Sequence, residues 1–246
     1  MSQLSNGLTA LVTGAGRAEG IGLEVCRQLG ARGYLVFLTA RSLDTARRRA
    51  EELAAEGLDV RPFALDVTSA DNVAAAVRDV SKAGRLDALI NNAATTSTYG
   101  EKVLTADLSA GHSALESILF GAWRALQAFF PLLRSSPAGR IVNVSSGAGS
   151  HGDPAFGLTS GNGMGPGYAV AKAGLSALTA AAALELKDTS VLVNAVCPGF
   201  TATFPNGETM GARPVRDGAA GIIWAATLPA GGPTGGFFRD GKPLPW

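Results

Sequence analysis

Two side chains in the second half of the sequence could transfer a proton together. Tyr168 and Lys172 lie four residues apart in a segment, residues 168–186, whose apolar residues recur with helical spacing. Side chains four apart share one face of a helix, and a cationic lysine beside a phenol favours the phenolate. Because a free phenol titrates near pH 10, such a lysine brings it towards neutral pH. Tyr168 is therefore a candidate proton donor to a carbonyl oxygen.

A glycine-rich segment near the start of the chain could hold phosphate groups. It runs from Thr13 to Gly22, between an apolar run and residues of helical character. Glycines permit a tight turn and a close approach of backbone to a pyrophosphate, and a helix start offers unpaired N–H groups and a positive dipole end. The segment predicts a dinucleotide site, with candidate contacts Gly14, Gly16, Arg17, Gly20, Ile21 and Gly22.

Arg41 bears on the choice of dinucleotide. It follows the second predicted strand, where an NAD-selective site places an acidic residue for the ribose 2′-hydroxyl. A guanidinium can instead bind a 2′-phosphate through paired hydrogen bonds, and Arg17 in the glycine loop could reach the same group. The sequence therefore favours NADPH over NADH. The alternative is that both arginines are solvated surface charges.

The elements that must position these residues follow from hydrophobic periodicity. Short apolar, β-branched runs alternate with helical segments, as in parallel strands joined by crossover helices. The predicted strands are residues 9–13, 35–39, 60–65, 88–91, 140–144, 191–196 and 236–238, and the predicted helices are 20–28, 43–55, 70–82, 114–134, 168–186 and 215–227. We predict an α/β fold: a doubly wound, Rossmann-like parallel sheet of about seven strands, buried on both faces, in one domain spanning residues 1–246.

Composition excludes several classes of partner. The 246 residues are 46% hydrophobic, which suffices for a buried core, and the net charge of +1 gives no field for nucleic acid or an anionic membrane. The apolar runs are shorter than the roughly 20 residues that cross a bilayer, and residues 1–7 do not resemble a signal peptide. We expect a cytoplasmic protein.

The cysteines and histidines indicate no metal site. Cys26 and Cys197 lack CxxC spacing, and His112 and His151 have no partner at zinc-ligand spacing. We expect reduced cysteines that pack as small apolar groups, and surface histidines.

Two loops interrupt the alternation of strands and helices. Residues 147–167 are rich in Gly, Ser, Pro and Asn, and residues 204–214 contain Pro, Asn and Gly. The first loop borders the presumed site, so we expect it to be mobile without ligand and to line a substrate pocket together with the second.

Five landmarks in order, spread over almost the whole chain, resemble the short-chain dehydrogenase/reductase family. They are the glycine loop, Leu65-Asp66-Val67, Asn91-Asn92-Ala93-Ala94, Val144-Ser145-Ser146 with Tyr168 and Lys172, and Asn194 to Gly199. The interval from Ser146 to Tyr168 and the chain ending are similar to those of some carbonyl reductases.

The resemblance implies a role for each matching residue. Ser146 would hydrogen-bond the substrate oxygen and the developing oxyanion, and Lys172 would also hold the nicotinamide ribose. The implied binding residues are Asp66 and Val67 for adenine, Asn91, Asn92 and Ala93 for the wall of the cofactor cleft, and Pro198, Gly199 and Thr203 for the carboxamide.

Three departures from the family pattern concern the site. The glycine loop has two extra residues before Gly20, and the Asn91-Asn92 turn ends in Ala94 where glycine is usual. Ile118 falls where an Asn commonly supports a proton-relay water. Either a backbone carbonyl or Ser117 holds that water, or the relay differs.

These features leave three hypotheses. The first is an NADPH-dependent reductase of a small ketone or aldehyde, acting in either direction. The second keeps the cofactor but takes an imine, an enone or a biosynthetic intermediate. The third is a non-catalytic NADP-binding sensor or scaffold, against which the intact Ser146, Tyr168 and Lys172 argue. The sequence leaves open whether the protein is a monomer or a homo-oligomer.

Overall fold

Eight strands form one sheet in the computed structural model, which describes residues 7–95, 101–160 and 165–246. The strands are β1 (Thr9–Val12), β2 (Leu35–Ala40), β3 (Val60–Ala64), β4 (Ala88–Asn91), β5 (Arg140–Val144), β6 (Leu192–Val196), β7 (Phe237–Arg239) and β8 (Lys242–Pro243). Their order across the sheet is β3-β2-β1-β4-β5-β6-β7-β8, and every neighbouring pair is parallel except β7 and β8. The predicted doubly wound parallel sheet is confirmed.

Helices cover both faces of the sheet. The helices are α1 (Ile21–Gly30), α2 (Leu43–Ala55), α3 (Ala70–Val80), α4 (Leu108–Ala114), α5 (Gly121–Arg134), α6 (Pro166–Glu185) and α7 (Val215–Ala226). One apolar core contains side chains of α1, α2 and α7, and the other contains side chains of α3, α5 and α6. Strand β1 alternates between them, since Ala10 and Val12 face the first core and Leu11 faces the second.

Strand β3 differs from the prediction of burial on both faces. It lies at the edge of the sheet and pairs only with β2. Arg61 and Ala64 are exposed, and Pro62 lies within the strand, as an edge strand allows because its outer side needs no ladder hydrogen bond.

Several element boundaries also differ from the predicted ones. The segment predicted as one helix, residues 114–134, contains the last residue of α4, a π-helical turn at Leu115–Phe120, and the whole of α5. Helix α4 begins earlier because Asp107 caps it, accepting the N–H of Ser109 at 2.8 Å. Helix α6 begins at Pro166, which suits the first turn of a helix, and the short strand β8 was not predicted.

Helix α6 is the one described helix with the length and composition of a membrane span, with 20 residues and a mean hydropathy of 1.2 in its most apolar window. Its Ala182 and Ala183 side chains pack in the second core with Phe129 of α5 and Val193 of β6. These contacts are those of a core helix, whose apolar composition reflects burial against the sheet.

The hydroxyl of Thr13 joins the ends of β1 and β4. It donates to the carbonyl of Ile90 at 3.3 Å and accepts the N–H groups of Asn92 at 2.9 Å and Ala93 at 3.0 Å. Because Thr13 is only 1% exposed, water cannot replace these bonds without opening the fold.

We expect Thr13→Val to lower the free energy of unfolding by about 1–3 kcal/mol, since the N–H groups of Asn92 and Ala93 lose their acceptor while the side-chain shape is kept. Urea unfolding measures this loss. Thr209→Val, at an exposed threonine whose hydroxyl donates to the Asn206 carbonyl, is the control and should change little. Equal effects of the two substitutions would contradict the assignment.

Candidate active site

The candidate residues collect at one edge of the sheet. Ser146 follows β5, Pro198 follows β6, Asn91 ends β4 and the glycine loop follows β1. These four strands are neighbours and parallel, so their carboxyl ends meet at the same edge. Ligands of doubly wound sheets bind at this edge.

Tyr168 and Lys172 stack on the first turns of α6. The Lys172 side chain is buried, its Nζ donates to the Val144 carbonyl at 2.5 Å, and Nζ lies 5.4 Å from the centroid of the Tyr168 ring. This is the geometry of a cation–π contact. Burial lowers the pKa of Lys172 from 10.5 to about 8, so the group is still largely cationic at neutral pH.

Ser146 begins a 3₁₀ turn that packs on the same part of α6. Its Oγ accepts the N–H of Ala148 at 3.2 Å, which leaves the hydroxyl proton able to donate elsewhere. A Cβ on Gly149 would lie 2.5 Å from the N atom of Ala173 and 2.9 Å from Cβ of Lys172, so only glycine allows this approach. The turn that carries Ser146 therefore packs directly against Lys172.

Ser145 strengthens this junction. Its Oγ donates to the carbonyl of Lys172 at 3.2 Å and lies 2.8 Å from Oγ of Ser176. All three groups are buried, so the end of β5 is fixed to one side of α6.

Ile118 lies in the π-helical turn. It is 1% exposed and packs in a small apolar cluster with Ala171 and the partly buried Tyr168. Ser117 is already engaged, since its Oγ donates to the Ser113 carbonyl at 3.0 Å and accepts the N–H of Thr95 at 3.3 Å. These bonds disfavour Ser117 as the holder of a relay water.

The glycine loop packs closely on the turn after β4. Gly14 has φ +70°, and a Cβ there would lie 2.7 Å from Cα of Ala93. A Cβ on Gly22 would lie 2.6 Å from Nδ2 of Asn92, which donates to the carbonyls of Thr13 at 2.9 Å and Gly14 at 3.1 Å. Asn92 therefore holds the shape of the loop.

The start of α1 fits a dinucleotide phosphate. Gly20 is the N-cap residue, and no side chain caps the helix. The first N–H groups, at Ile21 and Gly22, therefore keep their capacity to donate to an anion, and the helix dipole adds a partial positive charge. A Cβ on Gly16 would lie 3.0 Å from Cβ of Ala40, so the loop runs directly over the end of β2.

Arg17 makes a contact that the sequence analysis did not anticipate. Its Nη2 donates to the carbonyl of Thr203 at 2.5 Å, joining the glycine loop to the segment after β6. Residue spacing in the sequence gives no sign of this bond, which joins residues 186 positions apart.

Arg41 is exposed after β2, and its charge acts on Asp66. The N–H and hydroxyl of Thr68 hydrogen-bond the Asp66 carboxylate and, with Arg41 and Arg124 adding smaller effects, hold the pKa of Asp66 below its usual value. The structure thus places a cation and a carboxylate together at the predicted adenosine end of the cleft.

Val67 and Asn91 are buried rather than open to the cleft. A Cβ on Gly121 would lie 2.6 Å from Cγ2 of Val67, so the buried valine side chain packs directly against that glycine. The carbonyl oxygen of Val67 accepts a hydrogen bond from Nη1 of Arg124 at 2.5 Å. Nδ2 of Asn91 donates to Oδ1 of Asn143 at 2.8 Å, and Oδ1 of Asn91 is buried without a partner among the described residues. A contact from Val67 to adenine would therefore use its backbone or the edge of its side chain.

Gly199 allows the turn after β6. Its φ is +74°, a conformation that favours glycine. The hydroxyl of Thr201 lies 3.1 Å from the carbonyl of Pro198 and 3.2 Å from that of Gly199, which tightens the turn. The segment from Pro198 to Thr203 thus leaves β6 along the same edge as Ser146.

Hydrogen bonds to the chain end hold the first part of the loop that follows Ser146, residues 147–160. Residues 161–164 of this loop lie outside the described part. Oγ of Ser150 donates to the Pro245 carbonyl at 2.6 Å, and the N–H groups of His151 and Gly152 donate to the Trp246 carbonyl at 2.9 and 3.2 Å. These bonds argue against the expected mobility for this first part. The contribution of residues 245–246 could not be predicted from the sequence, because bonds to backbone carbonyls leave no residue pattern.

Comparisons with known proteins agree with this architecture. The family model described as short chain dehydrogenase matches residues 8–212. The 3-oxoacyl-(acyl-carrier-protein) reductase of Staphylococcus aureus is 34% identical over 194 residues, covering 78% of this chain and 74% of that protein. A metagenomic short-chain oxidoreductase solved with NADP is 31% identical, with a TM-score of 0.75 and 92% of each chain covered. A 3-oxoacyl-(acyl-carrier protein) reductase from Brucella melitensis solved with NAD is 27% identical, with a TM-score of 0.82, covering 97% of this chain and 90% of that chain.

The burial of Lys172 should appear in the pH dependence of stability. In the unfolded chain the amine keeps its proton up to its ordinary pKa, whereas in the folded chain it loses the proton near pH 8. Between these pH values the unfolded state binds more protons, so stability rises with pH. Relative to Lys172→Met, the wild-type free energy of unfolding should rise by about 3 kcal/mol from pH 7 to pH 10.5.

Urea unfolding of both proteins at the two pH values gives this difference. Lys82→Met, at a lysine whose side chain is 74% exposed, is the matched control and should show no such rise. A difference between wild type and Lys172→Met that stays constant with pH would contradict a buried ammonium.

Proposed function

Because this chain belongs to the short-chain dehydrogenase family, we propose that it reduces a carbonyl group with NADPH. The observation that carries the proposal is the convergence of Ser146, Tyr168 and Lys172 beside an uncapped helix start at the carboxyl edge of the sheet. A proton donor and a phosphate-binding loop at one edge are what reduction by a dinucleotide requires.

The proposed mechanism gives each of the three side chains one task. The hydride for the carbonyl carbon would come from a bound nicotinamide. Tyr168 donates its phenolic proton to the carbonyl oxygen, and the Ser146 hydroxyl, whose oxygen already accepts from Ala148, donates a hydrogen bond to the same oxygen. Lys172, cationic and stacked under the tyrosine ring, stabilises the phenolate that remains.

The Lys172 ammonium group also keeps N–H donors that could bind the cofactor. An ammonium group has three N–H bonds, and the Val144 carbonyl accepts one of them. The remaining donors favour a ribose hydroxyl as a further partner, in agreement with the role that the family resemblance implies. Ile118 adds an apolar wall beside Tyr168, which strengthens the electrostatic effect of the lysine by excluding water.

Two findings suggest which carbonyl compounds to test first. Two of the relatives are named 3-oxoacyl-(acyl-carrier-protein) reductases. In this chain Phe200 lies 6.2 Å from Phe156 and 5.8 Å from Phe204 between ring centroids, so an aromatic row connects the loops after Ser146 and Thr203. An apolar wall of this kind suits the hydrocarbon part of an acyl thioester. We therefore propose 3-oxoacyl thioesters as the first substrate class.

The exposed guanidinium of Arg41 supports NADPH over NADH, whereas the Arg17 guanidinium donates to the Thr203 carbonyl on the segment after β6. We expect the wild type to bind NADPH more tightly than NADH. Arg41→Asp should weaken NADPH binding by about 2 kcal/mol or more while barely changing NADH binding, because it removes a phosphate partner and adds repulsion.

Fluorescence titration with each dinucleotide measures these affinities. Arg17→Ala is the matched comparison, and it should weaken both dinucleotides by similar factors because its guanidinium is bound to the Thr203 carbonyl. Equal affinities of the wild type for NADPH and NADH would contradict the proposed cofactor preference.

We expect Tyr168→Phe to lower kcat by about 10²–10⁴, because it removes the proton donor and leaves the ring over Lys172. NADPH oxidation with 3-oxobutyryl thioesters, ketones and aldehydes measures the loss, and NADPH Kd should stay within about twofold. Tyr34→Phe, at a tyrosine just before β2, is the control and should keep normal turnover. Near-normal turnover of Tyr168→Phe would show that another group donates the proton.

A further inference from the structure

Gly147, the residue after Ser146, is covered by an ion pair. The pair joins Arg239, at the end of β7, to Asp153 in the loop after Ser146. A Cβ on Gly147 would overlap Oδ2 of Asp153 and lie 2.5 Å from Nη2 of Arg239. Both charged groups therefore rest directly on the Gly147 backbone, and glycine is the residue that this approach allows.

Asp153 organises the first part of the loop. Its side chain is fully buried, and its Oδ1 accepts the N–H groups of Ala155 at 2.9 Å and Phe156 at 3.3 Å. Burial opposes ionisation, but the N–H of Ala155 and the guanidinium of Arg239 outweigh it and hold the pKa of Asp153 below its usual value. The carboxylate is therefore charged at neutral pH and fixes the loop to β7.

Arg239 extends the contact to the end of β6. The same Nη2 atom donates to Sγ of Cys197 at 3.3 Å, and this sulfur also accepts the N–H groups of Gly147 at 3.2 Å and Gly199 at 3.4 Å. Cys197 is thus an acceptor for three donors as well as a packing group. Through it the turn of Ser146 is joined to the segment predicted to receive the carboxamide.

We propose that Asp153 and Arg239 are positioning residues for Ser146, holding the Gly147 backbone and thereby the direction of the serine hydroxyl. The inference rests on the proposed function, in which Ser146 binds the reacting oxygen. Neither charged residue needs to touch substrate or cofactor. Their loss should therefore act through Ser146 and the loop, on kcat and on the KM for the carbonyl compound, and leave NADPH affinity unchanged.

A double-mutant cycle with Ser146 separates positioning from general destabilisation, with kcat/KM for NADPH-dependent reduction of a 3-oxobutyryl thioester as the readout. We expect Asp153→Asn to lower kcat/KM by about tenfold or more in the wild type and by less than about twofold in Ser146→Ala. Arg239→Lys keeps a charge but not the planar guanidinium, so its effect should be intermediate, and it replaces Asp153→Asn if that variant does not fold.

The control for this cycle is Asp79→Asn, which removes an ion pair between Asp79 on α3 and Lys82 just after that helix and should leave kcat/KM unchanged in both backgrounds. Equal losses caused by Asp153→Asn in the wild type and in Ser146→Ala, or no loss in either, would overturn the proposal.

Amide hydrogen exchange followed by NMR provides a readout that needs no activity. In Asp153→Asn, exchange at Gly147, Ala155 and Phe156 should accelerate by about tenfold or more relative to Asp79→Asn. Unchanged exchange would overturn the proposal. If the wild type reduced no carbonyl compound, the proposed function would fail, and the exchange rates alone would decide whether the ion pair holds the Gly147 turn.

Discussion

The Nζ atom of Lys172 lies 2.5 Å from the carbonyl oxygen of Val144, in a position that water does not reach. Removing an ammonium group from water is unfavourable, so the fold must supply partners for it. Among the described residues, the last carbonyl of β5 and the face of the Tyr168 ring are such partners. This requirement fixes α6 against the end of β5, and it thereby sets the position of Tyr168 relative to the turn that begins at Ser146.

The parallel sheet brings the remaining parts of the site to this lysine. Because β1, β4, β5 and β6 are neighbours, the glycine loop, the Asn91-Asn92 turn, Ser146 and Pro198 all leave the sheet at one edge. Close packing then removes the freedom of each turn, at Gly14 against Ala93 and at Gly149 against Lys172. The glycines of this edge are therefore required by backbone contacts within the protein as well as by an incoming phosphate.

Hydrophobic periodicity was enough to predict the sheet, its helices and the placement of Tyr168 and Lys172 on one helix face, because these depend on local spacing. Contacts between distant segments could not be predicted in this way. Arg17 with Thr203 and Asp153 with Arg239 join residues 186 and 86 positions apart, and one charge in a polar loop resembles any other. The exposure of β3 depends on its place at the sheet edge, and the π-helical turn at Ile118 depends on tertiary packing, so neither follows from residue type.

We propose that one edge of the sheet provides both the cofactor cleft and the proton donor. A crystal structure of the protein with NADP⁺ tests this most directly. We expect the pyrophosphate on the N–H groups of Ile21 and Gly22, the 2′-phosphate beside Arg41, and the nicotinamide ring facing the Tyr168 hydroxyl with its ribose within hydrogen-bond distance of Lys172 Nζ. A nicotinamide ring bound away from Tyr168, with Lys172 in contact with Val144 alone, would contradict it.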